Sequence, residues 1–389
     1  MTRNLIHSDA IADFRGIIAS PGAILLEENE ILAAGSPQEI GVTDEVPSRV
    51  QGIVLPPLAN AHSHLDLSGI GIQPFSGSFV SWLENTITPI RKLSCEEDVQ
   101  GATKLGIELA IAGGTAMVGD IASSIKVADQ VSESPLLGVS FIEVFGLGNR
   151  QDRAMKMIQS LPNRVGVSPH APYSCGLDVF RAAFNSGKPI ATHLAEIPEE
   201  FEFAMHGVGP LVEFAKKVGV WDDSVEKWTE HPLDKIIDLL EGQKLVAAHL
   251  NYIEERHLEK LADSSITVAY CPRASAYFGH TNHRFQQMLD SGVSVALGTD
   301  SLLCLDTPDR ISVLDDMRLL YKQGCTDHST IMSMATTSGA KALGEDPSLL
   351  TLEIGEVAGL IAIETSSENP MGEAMNSSKA PTWVLPLLA

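Results

Sequence analysis

Basic residues are scarce in this chain: 27 lysines and arginines stand against 50 aspartates and glutamates, a formal charge of -23. Such a surface repels phosphate backbones and anionic headgroups, which excludes nucleic acid and membrane surfaces as partners. Cysteines number five (Cys95, Cys175, Cys271, Cys304 and Cys325), and no CxxC pair occurs among them. An odd, dispersed set excludes a disulfide framework and argues for reduced thiols in the cytoplasm. A long apolar run is also missing. The most apolar stretch, 106–122, is interrupted by Glu108, Gly113-Gly114 and Asp120, so it is no membrane span. Asp9 and Asp13 break up the start of the chain, so no secretion leader is expected there. No short repeat or low-complexity tract is visible. A soluble cytoplasmic protein is expected.

The chain has 389 residues, 44% hydrophobic and 20% charged, enough for one large domain with an appendage. Residues 1–55 read as short strands and turns, with 23–26 and 30–33 flanking a hairpin turn at Glu27-Glu28-Asn29. The pattern then changes to alternating strands and helices. Apolar runs at 53–55, 115–119, 136–145, 164–168, 190–192, 245–248, 266–270 and 293–297 read as eight strands, most followed by a helical segment. Eight such units over about 290 residues predict a closed parallel (β/α)8 TIM barrel covering 56–349. From 350 the pattern returns to strands, with the polar stretch 366–378 reading as a loop. The two chain ends, 1–55 and 350–389, are expected to build one small β-sandwich domain beside the barrel.

The chain is organised around Pro56-Pro57-Leu58-Ala59-Asn60-Ala61-His62-Ser63-His64. Histidines at i and i+2 of a strand face one way, so both imidazoles can meet at one point. A lone His-x-His is as often a pair of ordinary loop histidines. Here further polar residues mark other strand ends: His170, His193, His249 and Asp300. In a barrel those ends share one face, where catalytic groups gather. Three histidines and a carboxylate suit Zn²⁺ or Fe²⁺ with an open position for water, whose pKa the ion lowers. Attack by the resulting hydroxide needs a proton carrier, and Glu196, shortly after His193, is the candidate. Glu199, Glu200 and Glu202 follow it, as they would in a solvated acidic loop.

Together, Ala61-His62-Ser63-His64, Ser168-Pro169-His170-Ala171-Pro172-Tyr173, Thr192-His193-Leu194-Ala195-Glu196, Ala248-His249 and Leu297-Gly298-Thr299-Asp300 resemble the amidohydrolase superfamily. The likeness is to its deaminase and chlorohydrolase branch, with guanine, cytosine, S-adenosylhomocysteine and aminofutalosine deaminases. The resemblance implies that His62, His64, His193 and Asp300 hold the metal, that Glu196 shuttles protons, and that Asp300 also serves as a base. It implies that His249 binds the attacking water or the developing oxyanion, and that His170 contacts the substrate. Two-metal relatives carry a lysine at the end of strand four. The corresponding stretch, Arg164-Val165-Gly166-Val167-Ser168, has none, so one divalent metal per chain is implied, Zn²⁺ first and Fe²⁺ as the alternative. The usual Cys-Pro-x-Ser-Asn segment is replaced by Cys271-Pro272-Arg273-Ala274-Ser275, which leaves substrate identity open.

The expected activity is metal-dependent hydrolytic deamination of an amino-substituted aromatic heterocycle, with an adenine nucleoside derivative bearing a bulky or anionic 5′ group as the favoured substrate. Arg273 is the candidate partner for a substrate carboxylate. Hydrolysis of another C–N or C–Cl bond is the rival among enzymes, and an inactive metal-binding homologue the rival outside them. The expected partner is a small-molecule substrate, and a homodimer is compatible with the sequence.

Overall fold

The computed structural model describes residues 3–388 except 42, 76, 326 and 367, with the backbone alone at 91–93. Five strands come first: β1 Arg3–Asp13, β2 Gly16–Ala19, β3 Gly22–Glu27, β4 Glu30–Gly35 and β5 Ser48–Leu55. The expected hairpin is formed by β3 and β4, antiparallel from Ala23↔Gly35 to Glu27↔Glu30, with Glu28 turning at φ 56°. Eight more strands follow: β6 Leu58–Ser63, β7 Thr115–Ala122, β8 Leu137–Val144, β9 Gly166–Pro169, β10 Ala191–Leu194, β11 Leu245–His249, β12 Ile266–Tyr270 and β13 Ser294–Leu297. They pair in parallel and in chain order, β6 to β9 and β10 to β13. Parallel bridges Val167↔Ile190 and Ser63↔Asp300 join the two runs at both seams. The ring therefore closes as a TIM barrel, and one of its seams lies at the metal-ligand candidates themselves.

The first barrel strand differs from the sequence expectation. Residues 53–55 do not run on into the histidines. Pro56 and Pro57 lack the N–H a ladder needs, so they separate two strands. Residues 53–55 finish β5, and Leu58, whose N–H reaches Gly114 O at 2.9 Å, begins β6.

Three late strands, β14 Gly355–Glu356, β15 Leu360–Ile363 and β16 Thr382–Leu385, return to the first five. The resulting eight-stranded sheet runs β14-β4-β3-β1-β5-β15-β16, with β2 on β1. It curls over a core that includes Ile6, Ile11, Ile24, Leu26, Val54 and Leu360. Gly52 (φ 109°) is required where β5 meets β15, because a Cβ there would fall 2.1 Å from Ile363 O. The stretch expected as a loop, 366–378, contains a helix, Pro370–Asn376, N-capped by Asn369. Its buried Met371, Ala374 and Met375 have the i, i+3, i+4 spacing of a packed face, which the polar composition around them conceals. Among the described residues no helix is long and apolar enough to cross a membrane.

Candidate metal centre and active site

Strand ends deliver five imidazoles and several carboxylates to one mouth of the barrel. His62 lies on β6 and His64 just past it, with ring centroids 5.1 Å apart. His193 on β10 brings Nε2 to 3.1 Å from His64 Nε2. Two ligands each ~2.0–2.1 Å from a shared centre have about this spacing. Asp300 Oδ1 lies 3.6 Å from His64 Nε2, and His62, His64 and Asp300 offer atoms that all fall within 4.8 Å of one another. His62, His193 and His249 form an overlapping group by the same measure.

Two observations show that these residues fit a cation. First, His62 Nε2 and His249 Nε2 are buried and make no hydrogen bond among the described residues. An orphaned polar atom in a dry site costs about 1–3 kcal/mol unless something else takes it up. Second, burial, followed by the charges of His193, His64 and His170, pushes the His62 pKa well below its ordinary value. The imidazole is thus held neutral, the form that binds a metal. His193 Nδ1 lies 2.9 Å from His170 O and so donates to it, which leaves Nε2 as the lone-pair nitrogen facing the cluster.

The carboxylates are buried beside the histidines. Glu196 Oε1 is 3.6 Å from His249 Nε2, and Tyr173 donates its hydroxyl to Glu196 Oε2 at 3.5 Å. Burial, then Asp300 and Glu200, pushes Glu196 well above the ordinary carboxylate range. Asp300 is pushed up to about 7, chiefly by burial. A cation among them would pull both back down.

Backbone strain fixes these ends. Among the described residues, four of the eight non-glycine positions with positive φ surround the site: Ala195 (48°), His249 (74°), Leu250 (53°) and Asp300 (60°). Each sits in a conformation L residues avoid, and each is held by a specific bond. Ala195 N–H donates to Glu200 Oε1 at 2.8 Å, and Leu250 N–H to Leu194 O at 3.0 Å. Asp300 N–H reaches His62 O at 3.0 Å across the barrel seam. His249 O accepts from His283 Nε2 at 2.8 Å, and the His283 ring is stacked 3.7 Å from Tyr270. Gly298 completes the seam: a Cβ there would lie 2.9 Å from His62 Cβ.

The structure therefore brings together His62, His64, His170, His193, Glu196, His249 and Asp300. His170 Nε2 is 3.7 Å from Glu143 Oε1, and its ring lies 4.8 Å from that of His193. Arg273 is placed elsewhere. It is buried with Nε 3.0 Å from Asp316 Oδ2, Nη1 at 2.9 Å from Thr307 Oγ1 and 3.2 Å from Asp306 Oδ1, and Nη2 at 2.9 Å from Ser312 O. The guanidinium is committed to the protein, so the substrate-carboxylate role expected of it does not follow from its position. Glu200, expected as one of a solvated acidic run, is 1% exposed and pushed up to about 8 by burial. Glu143 and His283 went unnoticed in the sequence. A carboxylate inside the apolar Phe141-Ile142-Glu143-Val144 was a readable signal for the first; nothing local marked the second.

Comparison with known proteins identifies the family and the fold. The chain is 28% identical over 379 residues to a 5-methylthioadenosine/S-adenosylhomocysteine deaminase of Halothermothrix orenii, covering 90% of this chain and 82% of that protein. The crystal structure of Helicobacter pylori aminofutalosine deaminase in complex with methylthio-coformycin superposes with a TM-score of 0.80 at 18% identity, covering 99% of this chain and all of that one. Zinc-complexed atrazine chlorohydrolase TrzN from Arthrobacter aurescens superposes at 0.73 and 17% identity, over 99% and 95% of the two chains. The sequence profile of the amidohydrolase family matches residues 53–385, from the end of β5 through the barrel to β16, and the chain belongs to that family.

Proposed function

We propose that the protein is a metal-dependent hydrolytic deaminase that releases ammonia from an adenine nucleoside derivative. The observation that carries this reading is the pair of buried imidazoles, His62 and His249, whose Nε2 atoms have no hydrogen-bond partner among the described residues, beside a buried carboxyl group, Glu196. His62, His64, His193 and Asp300 would hold one divalent ion, Zn²⁺ by the preference of a nitrogen-rich set. Such an ion, when bound, lowers the pKa of a water in its open position and supplies a nucleophile near neutral pH.

The chain's own residues supply the rest. Glu196 takes one proton of the attacking water at a carboxylate oxygen and delivers it to the ring nitrogen next to the attacked carbon; Asp300 takes the second, which passes to the amine so that it departs as ammonia. Tyr173 fixes the orientation of that carboxylate. His249, held by His283, faces the same point and donates to the oxygen that develops negative charge. His170, between Pro169 and Pro172, meets the planar ring from the side of β9. Cytoplasmic placement, supported by five free cysteines, belongs to the same proposal, as does a division into barrel and small β domain near residues 55 and 350.

Ammonia release from the zinc-loaded chain tests the reading. The panel is adenosine, 5′-methylthioadenosine, S-adenosylhomocysteine, aminofutalosine, guanine, cytosine, a chlorotriazine and a formimino amino acid. Turnover of an adenine nucleoside, lost on chelation and restored by Zn²⁺, is expected. Turnover confined to the formimino compound or the chlorotriazine would replace the proposal.

A further inference from the structure

The carboxyl group of Glu196 has only loose contacts. Tyr173 Oη lies at 3.5 Å, the outer limit of a hydrogen bond, and His249 Nε2 at 3.6 Å. A proton carrier must stand within hydrogen-bond reach of the atoms it serves, and a misplacement of ~1 Å can cost on the order of 100-fold in rate. The short bonds at Glu196 belong instead to the backbone that carries it.

That backbone is tied at three points. Ala195, left-handed at φ 48°, donates its N–H to Glu200 Oε1 at 2.8 Å, and its carbonyl accepts from Tyr252 N–H at 3.0 Å. The carbonyl of Glu196 accepts from Asn251 Nδ2 at 3.0 Å, and Asn251 Oδ1 accepts in turn from Ser275 Oγ at 2.8 Å. A carbonyl can only accept, so the Asn251 amide has one orientation here, with its oxygen left for the serine. Asn251 lies just past β11 and Ser275 in the helix Pro272–Tyr277 past β12, so the relay crosses the ends of three neighbouring strands, β10 to β12. Ser275 also stands where the 271–275 segment departs from Cys-Pro-x-Ser-Asn, and through Asn251 that departure reaches Glu196. Glu200 is no ordinary helix cap. The third residue of a helix usually bonds the N–H of the residue before its first turn, here Ile197. Glu200 passes Ile197 and takes up Ala195 instead, 1% exposed and with Oε2 unpartnered among the described residues. None of the three is among the described residues that line the pocket at the histidine cluster.

We propose that Glu200, Asn251 and Ser275 are positioning residues for the proton carrier, a frame that fixes where the Glu196 carboxyl stands without itself touching the substrate. This rests on the reading of Glu196 as the proton carrier of a deaminase and extends it to residues outside the site. The frame acts through the main chain of Ala195 and Glu196, so its loss moves the carboxyl while leaving the metal ligands and the substrate pocket in place.

The test is a cycle of variants in the zinc-loaded full chain, read as ammonia release from adenosine, 5′-methylthioadenosine, S-adenosylhomocysteine and aminofutalosine. Asn251→Asp keeps the shape and the acceptor for Ser275 but loses the donor to Glu196 O. Glu200→Met loses the acceptor for Ala195 N–H. Each should lower kcat about tenfold with KM within about twofold, because the frame serves proton transfer rather than binding. In the Glu196→Gln background the same changes should cost less than about twofold, since the carboxyl they position is already gone. Glu200→Gln retains a carbonyl for Ala195 and should recover most of what Glu200→Met loses. Ser275→Ala, one bond further out, should show a smaller loss of kcat. Bound zinc, by elemental analysis, should match the wild type throughout. If Glu200→Met does not fold, Asn251→Asp, at a half-buried position, carries the comparison. Equal fold-losses in the wild-type and Glu196→Gln backgrounds, loss of zinc, or undiminished kcat in Asn251→Asp overturns the frame and leaves deamination standing. Ammonia from none of the four nucleosides overturns both.

Discussion

Two regions of this barrel bury charge at high density, and they treat it in opposite ways. Beneath the helix Pro370–Asn376, Arg273, Arg310 and Arg318 meet Asp315, Asp316 and backbone carbonyls. Arg310 reaches Asp315 at 2.7 Å, while Arg318 donates to Asp315 at 2.9 Å and to Ala374 O at 3.1 Å. Asp316 receives both the backbone N–H and Nε of Arg273 at 3.0 Å. At the mouth of the barrel, by contrast, His62 Nε2 and His249 Nε2 have no hydrogen-bond partner among the described residues, and strained backbone holds their neighbours. A buried polar group that the chain satisfies itself is architecture. One that the chain leaves open, at a conformational cost, is kept for a ligand.

The largest test of that contrast removes a ligand. His62→Ala or Asp300→Ala should abolish ammonia release and reduce bound metal from one equivalent to a small fraction, measured by elemental analysis. Two equivalents in the wild-type barrel would contradict the single site. Next, Glu196→Gln keeps the shape of the side chain while removing the group that titrates. Turnover should fall roughly 100-fold or more with metal content unchanged. Near-normal turnover would take Glu196 out of the mechanism.

The satisfied region should answer in stability instead. Asp316→Ala takes away the buried partner of Arg273, leaving the guanidinium only the largely exposed Asp306 and neutral acceptors, and should cost about 3–5 kcal/mol in denaturant unfolding. The molecules that do fold should keep kcat within about twofold, a range small beside the ~100-fold effects of acid-base groups. A kcat loss comparable to that of Glu196→Gln would erase the distinction between the two regions.

The smallest effect separates the site from its nearest imitation. His231, Asp234 and His257 have the composition of a metal site. Yet Asp234 is taken up by Arg256 and Lys260, each at 2.6 Å, and by His257 at 3.2 Å. Burial first, then His257, pushes His231 down to about 4, against the opposing pull of Glu254 and Asp234. The folded protein therefore binds this proton less readily than the unfolded chain does. Its stabilising contribution is complete above the unfolded value of about 6.5 and is lost as pH falls from there toward 4. His231→Gln should make the decline of thermal midpoint over that window shallower, with metal content unchanged.

Much of this was legible because chemistry and fold share the same punctuation. Each barrel strand is a short apolar run, and several end on a residue whose only apparent business there is chemical: His193 after Ala191-Thr192, His249 after Ala247-Ala248, Asp300 after Gly298-Thr299. What could not be read was anything decided by a distant partner. Arg273 looked available because nothing nearby shows that Asp316, 43 residues on, will take its guanidinium. Glu200 looked solvated because its neighbours are, although a single backbone N–H at Ala195 turns it inward. His283 is one histidine in a loop until its ring is seen between Tyr270 and the carbonyl of His249. Pro56-Pro57 was visible, but its meaning required knowing that two different sheets lie on either side.

The small sheet imposes an order on synthesis. Strand β5 lies between β1 and β15, with Leu55 opposite Ile361. Those residues leave the ribosome about 300 positions apart, roughly 15–60 s of elongation. Throughout that interval the nascent chain carries an apolar strand with one open edge, while the barrel between its halves can already form. Unpaired edges recruit whatever strand comes near, so the window in which this chain is most exposed to misassembly closes only when its last strands emerge.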